Sequence, residues 1–338
     1  MKGNKKIWAL FMAVALVLTS MAAPVQASAE NDPAAATYLQ NMSSATSTVT
    51  SMEANLEASL SYSDTTLQAD TMKLTGSMKV NSQNEVSMDM VLDMGLLGSL
   101  LGQQTMSIQY IYVKENGKDV LYMCSDGVWT KDTAETGTAS TAATAMTSLD
   151  IIQLLSDAKI AAESQTVNGK DCVVVTAKMT GATISNVYKQ LNKADDNKLK
   201  KQINKQKKKV NKLQKSVKKK KGNAKKKAKN KLKQEKAVLK VLNAEYKSRQ
   251  NEYKVLAKCP AVVVTYSIDK TNNNPVQTKL DMTEFLKAYL AADSETGELA
   301  DMFKSASLVM NFSNINGNVV ITVPAEAKNA SSGGGALY

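Results

Sequence analysis

The segment from Thr183 to Lys258 constrains this chain more than any other. It holds no proline and a single glycine, Gly222, and from Lys193 to Lys258 it carries 26 Lys+Arg against 5 Asp+Glu, a net +21. Such a run repels itself and stays unfolded unless apolar residues recur with a helical period. They do recur. Leu199, Ile203, Gln206, Val210, Leu213 and Val217 step by 4, 3, 4, 3, 4. Leu232, Glu235, Leu239, Leu242, Tyr246, Arg249, Tyr253 and Leu256 continue the same alternation. Both are heptad seams, with Gln206, Glu235 and Arg249 as polar exceptions. Gly222-Asn223 lies between them as a tight connection, so the spacing predicts an antiparallel helical hairpin, a coiled coil over residues 183–258.

The rest of the chain obeys a different period. Met52, Ala54, Leu56, Ala58 and Leu60 alternate with mainly polar neighbours, as in a half-buried strand. Met72 to Val80 and Val86 to Met94 repeat the pattern. Strands are expected at Gln104–Val113 and Asp119–Cys124 around a Glu115-Asn116-Gly117 turn, and near 161–167 and 170–179 around Asn168-Gly169. Further strands are expected at Ala261–Ile268, Val276–Met282, Ser307–Phe312 and Val319–Val323. Short turns between runs favour an antiparallel meander over βαβ units. Helices are expected after Asp32-Pro33, where a side-chain acceptor precedes a residue of fixed φ, after Ser148 with Leu149, Ile152 and Leu155 on one face, after a Thr283 cap through Leu290, and over Glu298–Phe303. The fold class is therefore α+β.

At the N-terminus Lys2, Lys5 and Lys6 precede the apolar run Ile7–Leu18, and small residues end in Ala27-Ser28-Ala29. This is the layout of an export signal cleaved before Glu30. The expected product is secreted, with retention at the cell surface as a variant. The division expected is 1–29 signal peptide, 30–182 and 259–329 body, 183–258 basic hairpin and 330–338 tail. The whole chain carries +12; with Lys193–Lys258 and the three signal lysines set aside, the remainder carries −12. Charge segregated in this way points to a localised polyanion site.

Composition removes several chemistries. Histidine is absent and arginine occurs once, which excludes a Ser–His–Asp triad, a Cys–His pair and an imidazole metal site. Acidic pairs such as Asp89/Asp93 and Asp293/Glu295 have no nucleophile or metal-ligand spacing beside them. The reading is non-enzymatic, with no cofactor and no metal. Cys124, Cys172 and Cys259 allow one disulfide and one thiol, or three small buried residues.

Two sets of residues are candidates for binding. Lys218, Lys219, Lys220, Lys221, Lys225, Lys226 and Lys227 crowd the turn of the hairpin, where mutual repulsion favours a polyanion such as an anionic wall polymer or membrane surface. A plain solvated rod is the competing reading. Specific nucleic-acid recognition is not expected, because lysine alone gives salt-sensitive attraction without base readout. Met72, Met78, Met88 and Met90 alternate onto one sheet face, suited either to an adaptable apolar cavity or to a methionine-rich core. Leu96, Leu97, Leu100 and Leu101 form a glycine-bounded apolar loop, read as a cavity lip or as a segment tucked under a helix. Trp129 is read as a ligand contact or as a core anchor.

Several body segments resemble a known family. They are Tyr112–Lys131 (YVKENGKDVLYMCSDGVWTK), Val167-Asn168-Gly169-Lys170 before CVVVTAKM, Tyr266–Thr271 with Pro275-Val276, and the ending Ile321–Ala327. Their order resembles secreted relatives of the LolA/LppX lipoprotein-carrier fold. That resemblance implies a curved antiparallel half-barrel sheet with helices on its concave side, and an acyl-binding cavity between them. The chain departs from the lipoprotein members in lacking a lipobox cysteine, and it adds the hairpin. Two functions are carried forward. One is an exported binder of an apolar or lipid-like ligand whose basic stalk contacts anionic envelope components. The other is a surface or adhesion protein whose stalk binds polyanions and whose sheet holds no ligand.

Overall fold

In the computed structural model, residues 32–63, 70–95, 104–134, 155–292 and 297–330 are described. The export-signal reading, the Gly95–Gly102 leucines, the Ser148 helix start and the tail beyond 330 fall outside these residues. The chain divides into two compact units, residues 1–181 with 259–338, and residues 182–258.

The first unit begins with helix α1 (Pro33–Ser47). Asp32 caps it, its Oδ1 accepting from the Ala34 N–H at 2.8 Å. Strands β1 (Met52–Tyr62), β2 (Asp70–Val80), β3 (Val86–Asp93), β4 (Thr105–Glu115), β5 (Lys118–Ser125) and β6 (Val128–Ala134) follow as a meander. Asn116 and Asn168, at φ 52° and 49°, take the left-handed positions that tight hairpins require. Next come β7 (Ser156–Ile160), β8 (Gln165–Val167) and β9 (Lys170–Met179), and after the helical unit β10 (Val262–Asp269) and β11 (Pro275–Asp281). Helices α5 (Thr283–Ala291) and α6 (Gly297–Met302), β12 (Phe303–Ser313) and α7 (Ala325–Lys328) complete the unit.

The described strands pair into one 12-stranded sheet in the order β6-β5-β4-β3-β2-β1-β12-β11-β10-β9-β7, with β8 also on β9. Every pairing is antiparallel. β6 and β7 are left as edges, so the sheet is open, in the half-barrel class. Helix α1 packs on β7 and β9, α5 on β10 and β12, and α6 on β12. They cover the face carrying Val264, Tyr266, Leu280, Leu308 and Met310, all buried. Each side chain buried there contributes roughly 1.5–3 kcal/mol of apolar transfer.

Four expectations are corrected. The strand expected at 161–167 shrinks to β8, and β7, which was not anticipated, shares the β9 edge with it. β6 was not anticipated either; Asp126 at φ 48° opens the turn that forms it. Thr283 is the first residue of α5 and not its cap; Met282 stands at the N-cap, and the Thr283 hydroxyl accepts from the Ala306 N–H at 3.1 Å. Val319–Val323 joins no ladder. Val319 is buried while Ile321 and Val323 lie on the face of β4 and β5, so the alternation reports an extended segment with one side covered.

The second unit holds α2 (Gly181–Leu191), α3 (Lys193–Lys219) and α4 (Gly222–Lys258). α2 and α3 part at Asn192, whose side-chain amide donates back to the Tyr188 carbonyl at 2.8 Å and competes with the helix ladder there. Gly222 sits at φ 53°, a value that favours glycine, so the chain reverses within three residues. Leu199, Ile203, Gln206 and Val210 on α3 are buried, as are Ala228, Tyr253 and Leu256 on α4.

Candidate functional site

The cross-strand register defines the apolar face of the body. One row runs Phe312, Ala54, Met78, Met88, Tyr110, Met123 across β12, β1, β2, β3, β4 and β5. The next runs Met310, Leu56, Gly76, Met90, Ile108, and a third Leu308, Ala58, Leu74, Leu92, Met106. Partners directly opposite one another point to the same side, so the methionines do share a face.

Burial along these rows is graded. Leu308, Met310, Phe312, Ala54, Ala58, Met72 and Leu74 are buried. Met78, Met88, Met90, Tyr110, Leu121 and Met123 are only half-buried, and Ile108 is 39% exposed. The face therefore passes from a helix-covered core at β9–β12 to a half-open apolar surface at β3–β5. Burial raises the Tyr110 hydroxyl pKa, and burial with Asp119 beside it pushes Tyr112 up to about 12, so both rings present neutral hydroxyls. At Gly76 an added Cβ would come within 2.8 Å of the Asp89 carbonyl and 3.1 Å of Met90 Cγ, which lets Met90 lean across β2.

The opposite face of β4–β6 is closed. Ile111, Val113, Val120, Tyr122 and Ala327 form a buried cluster with Trp129, Ile321 and Val323 packed against it. Trp129 pairs with Cys124 and therefore points away from the methionine rows. At the cluster's border the Tyr122 hydroxyl donates to Glu115 at 2.7 Å and accepts from Lys131 Nζ at 2.8 Å, with Lys131 and Glu115 3.2 Å apart. The hydrogen bond from Tyr122, followed by those of Lys131, holds the Glu115 carboxyl below its ordinary range against the opposing effect of burial. This triad is satisfied within itself and faces the covering segment.

Of the binding candidates, Met72, Met78, Met88 and Met90 are brought together. Leu96, Leu97, Leu100 and Leu101 lie outside the described residues. The residues missed are Ile108, Tyr110, Leu121 and Met123. The signal for them was present: Met106, Ile108 and Tyr110 alternate at period two, and Val120–Cys124 is a run that puts apolar side chains on both faces of its strand. Asp89 and Asp93 sit exposed on β3, Asp89 accepting from Gln109 at 3.2 Å and Asp93 from the Gly95 N–H at 2.9 Å. Asp293 and Glu295 are outside the described residues. Cys124, Cys172 and Cys259 are buried thiols, none of them in a disulfide. Among the described residues no His/Cys/Asp/Glu cluster suits a metal ion, and no helix is long and apolar enough to cross a membrane.

In the hairpin the polar seam residues find specific partners. Gln206 Nε2 donates to Glu235 Oε2 at 2.6 Å and to the Glu235 carbonyl at 2.9 Å, and Lys209 reaches Glu235 at 2.8 Å. Tyr253 donates to Asp196 at 2.9 Å, Ser185 donates to the Tyr253 carbonyl at 2.7 Å, and Arg249 stands 3.6 Å from Asp196. These layers lock the antiparallel register, since a slip of either helix leaves buried polar groups unpaired. Lys218–Lys221 and Lys225–Lys227 are all exposed around the connection.

No protein family profile matches the chain, and no curated protein matches it. Solved structures similar to it include LprF from Mycobacterium bovis, at 12% identity and TM-score 0.40, covering 88% of this chain and 99% of that one. Another is a DUF1329 family protein from Desulfovibrio piger, at 9% identity and TM-score 0.23, covering 86% and 96%. A third is an outer membrane lipoprotein-sorting protein domain from Vibrio parahaemolyticus, at 7% identity and TM-score 0.21, covering 82% and 89%. The fold itself rests on the open antiparallel ladder.

Proposed function

We propose that this is an exported, non-enzymatic protein that holds an apolar or lipid-like ligand against the half-open face of β2–β5. One observation carries the reading: Met78, Met88, Met90, Tyr110, Leu121, Met123 and Ile108 form a continuous apolar surface left half-exposed, while the same rows are sealed at β12 by Leu308, Met310 and Phe312. Methionine side chains adapt to an irregular ligand, and the neutral tyrosine hydroxyls offer a few polar contacts at the edge. The lysine-led apolar run before Ala27-Ser28-Ala29, read as an export signal, fits this reading.

The helical unit serves, on the same reading, as a basic stalk whose tip lysines meet anionic wall polymer or membrane surface. A surface protein that uses only the stalk is the second reading, favoured by the +21 concentrated between Lys193 and Lys258. Organic extraction and mass spectrometry of the protein purified from its own envelope separate the two. A co-purifying amphiphile, displaced by an environment-sensitive fatty-acid probe, supports the first. Absence of any bound amphiphile and of probe uptake leaves the second.

A further inference from the structure

Opposed hydroxyls in the sheet pair with one another on the face away from the helices. Ser59 meets Ser307 at 2.9 Å, Ser61 meets Thr71 at 3.1 Å and Thr176 meets Thr265 at 3.4 Å. Tyr266 and Thr278 break this rule. They stand opposite each other on β10 and β11, on the helix-covered face, at 3% and 0% exposure. Thr278 Oγ1 is buried with no hydrogen-bond partner, and the Tyr266 hydroxyl makes no hydrogen bond among the described residues. Burial alone raises the Tyr266 pKa, with no charge or hydrogen bond contributing. An orphaned buried hydroxyl is costly, and packing alone is served as well by an apolar side chain of the same shape.

The register carries the same row outward from this pair. Thr278 faces Met310, and beyond Met310 follow Leu56, Gly76, Met90 and Ile108. Met310 is 1% exposed, Leu56 and Met90 are half-buried, and Ile108 is 39% exposed. One row therefore joins the half-open apolar surface to two unpaired hydroxyls in the core. That layout suits a ligand apolar over most of its length and polar at one end. We propose that Tyr266 and Thr278 are the inner anchor of the ligand site, donating to the ester carbonyl of a single acyl chain laid across the strands toward Ile108.

The chemistry of the pair selects the polar group. Hydroxyls donate to a carbonyl oxygen without bringing charge. Their neighbours on this face, Val175, Val264, Ile268, Val276, Leu280 and Leu308, are apolar and buried. An ionised carboxylate would lie there without a counter-charge, at a high desolvation cost, and a plain hydrocarbon would leave both hydroxyls unpaired. Thr278 and Ile108 are five strand-to-strand steps apart, about 24 Å at about 4.8 Å each, so the row accepts a long acyl chain. Met310 stands between the pair and the open end; its unbranched side chain, with three rotatable bonds, turns aside as the ester enters. The proposal rests on reading the body as an apolar-ligand binder, and it adds the ligand's polar group and the place where that group ends.

The test uses the full-length protein and three ligands of one chain length: methyl palmitate, ionised palmitate and hexadecane. Each competes with an environment-sensitive fatty-acid probe. The native protein is expected to favour the ester over the other two by about tenfold. Thr278→Val and Tyr266→Phe are each expected to lower that preference about 3- to 10-fold, the loss of one hydrogen bond. The carbonyl stretch of carbon-13-labelled ester reads the contact itself. Its frequency should be lowered in the native protein and return toward the value in hydrocarbon in the double variant. Without ligand, the thermal midpoint of Thr278→Val is expected at or above that of the native protein, because an orphaned hydroxyl has been removed. Equal affinity for the three ligands, tighter binding of palmitate, or a preference that both variants keep refutes the anchor while the apolar-ligand reading stands. A lowered midpoint in Thr278→Val with all three ligands weakened alike also refutes it, and assigns the pair to a buried water. Failure of the native protein to take up the probe or any of the three ligands refutes the apolar-ligand reading and the anchor together.

Discussion

Changing Tyr253 to Phe isolates one hydroxyl at the base of the hairpin. Tyr253 is buried, and its hydroxyl donates to Asp196 Oδ2 at 2.9 Å. The other oxygen, Oδ1, is buried without a hydrogen bond and has only Arg249, 3.6 Å away. The phenyl ring keeps the edge-on contact with Tyr188, whose centroid lies 5.8 Å away, so packing is conserved. What is lost is a hydrogen bond to a charged acceptor, worth about 1.5–3 kcal/mol, in a place where water cannot replace it. Local opening of α4 around residues 249–256 should therefore become about 10- to 100-fold more frequent, at about 1.4 kcal/mol per decade. Amide hydrogen exchange on the full-length chain reads this directly. Changing Asp196 to Leu should destabilise the same segment, and in the double variant the two losses should overlap by about 1–2 kcal/mol, because each single change strands the other's partner. Exchange within twofold of the native protein, or strictly additive losses, would refute the reasoning.

Other outcomes follow from the same structure. Met88→Asp places a charge in the half-open row and should weaken uptake of a fatty-acid probe about tenfold, while far-UV circular dichroism stays native because the position is not sealed. Glu235 has its carboxyl pKa lowered, by the hydrogen bond from Lys209 first and by Gln206 next. Its contribution to hairpin stability is thus fully present above the ordinary glutamate value and lost as pH falls through the lower folded value. Helicity followed from pH 7 downward should show that acid limb, and Glu235→Gln should flatten it. Asp32→Ala removes the cap of α1 and should cost about 1 kcal/mol in urea denaturation, with Asp32→Asn nearly neutral.

Much of the fold was legible because it rests on local periodicity. The alternation of Met52–Leu60 and Met72–Val80 needs only a backbone rise and one apolar side to specify a half-buried strand, and both appear as β1 and β2. The hairpin seams were legible for the same reason. β6 and β7 were not, because edge strands bury little and leave a weak pattern. The methionine half of the candidate site was readable from alternation. Leu121 and Met123 were hidden in a run apolar on both faces, where period alone does not say which side is left half-open and which is sealed.

Sequence by itself determined the two periods, the Asn-Gly turns and the concentration of lysine, since each is a property of neighbours along the chain. Tertiary structure alone decided that Trp129 belongs to the closed face, that Ile321 and Val323 lie on the sheet without extending it, and that Gln206 meets Glu235 across the hairpin. It also decided that burial fades from β12 to β4 along one apolar row. These are facts about residues distant in the chain, and burial is set by whatever covers a side chain in space, which local pattern does not encode.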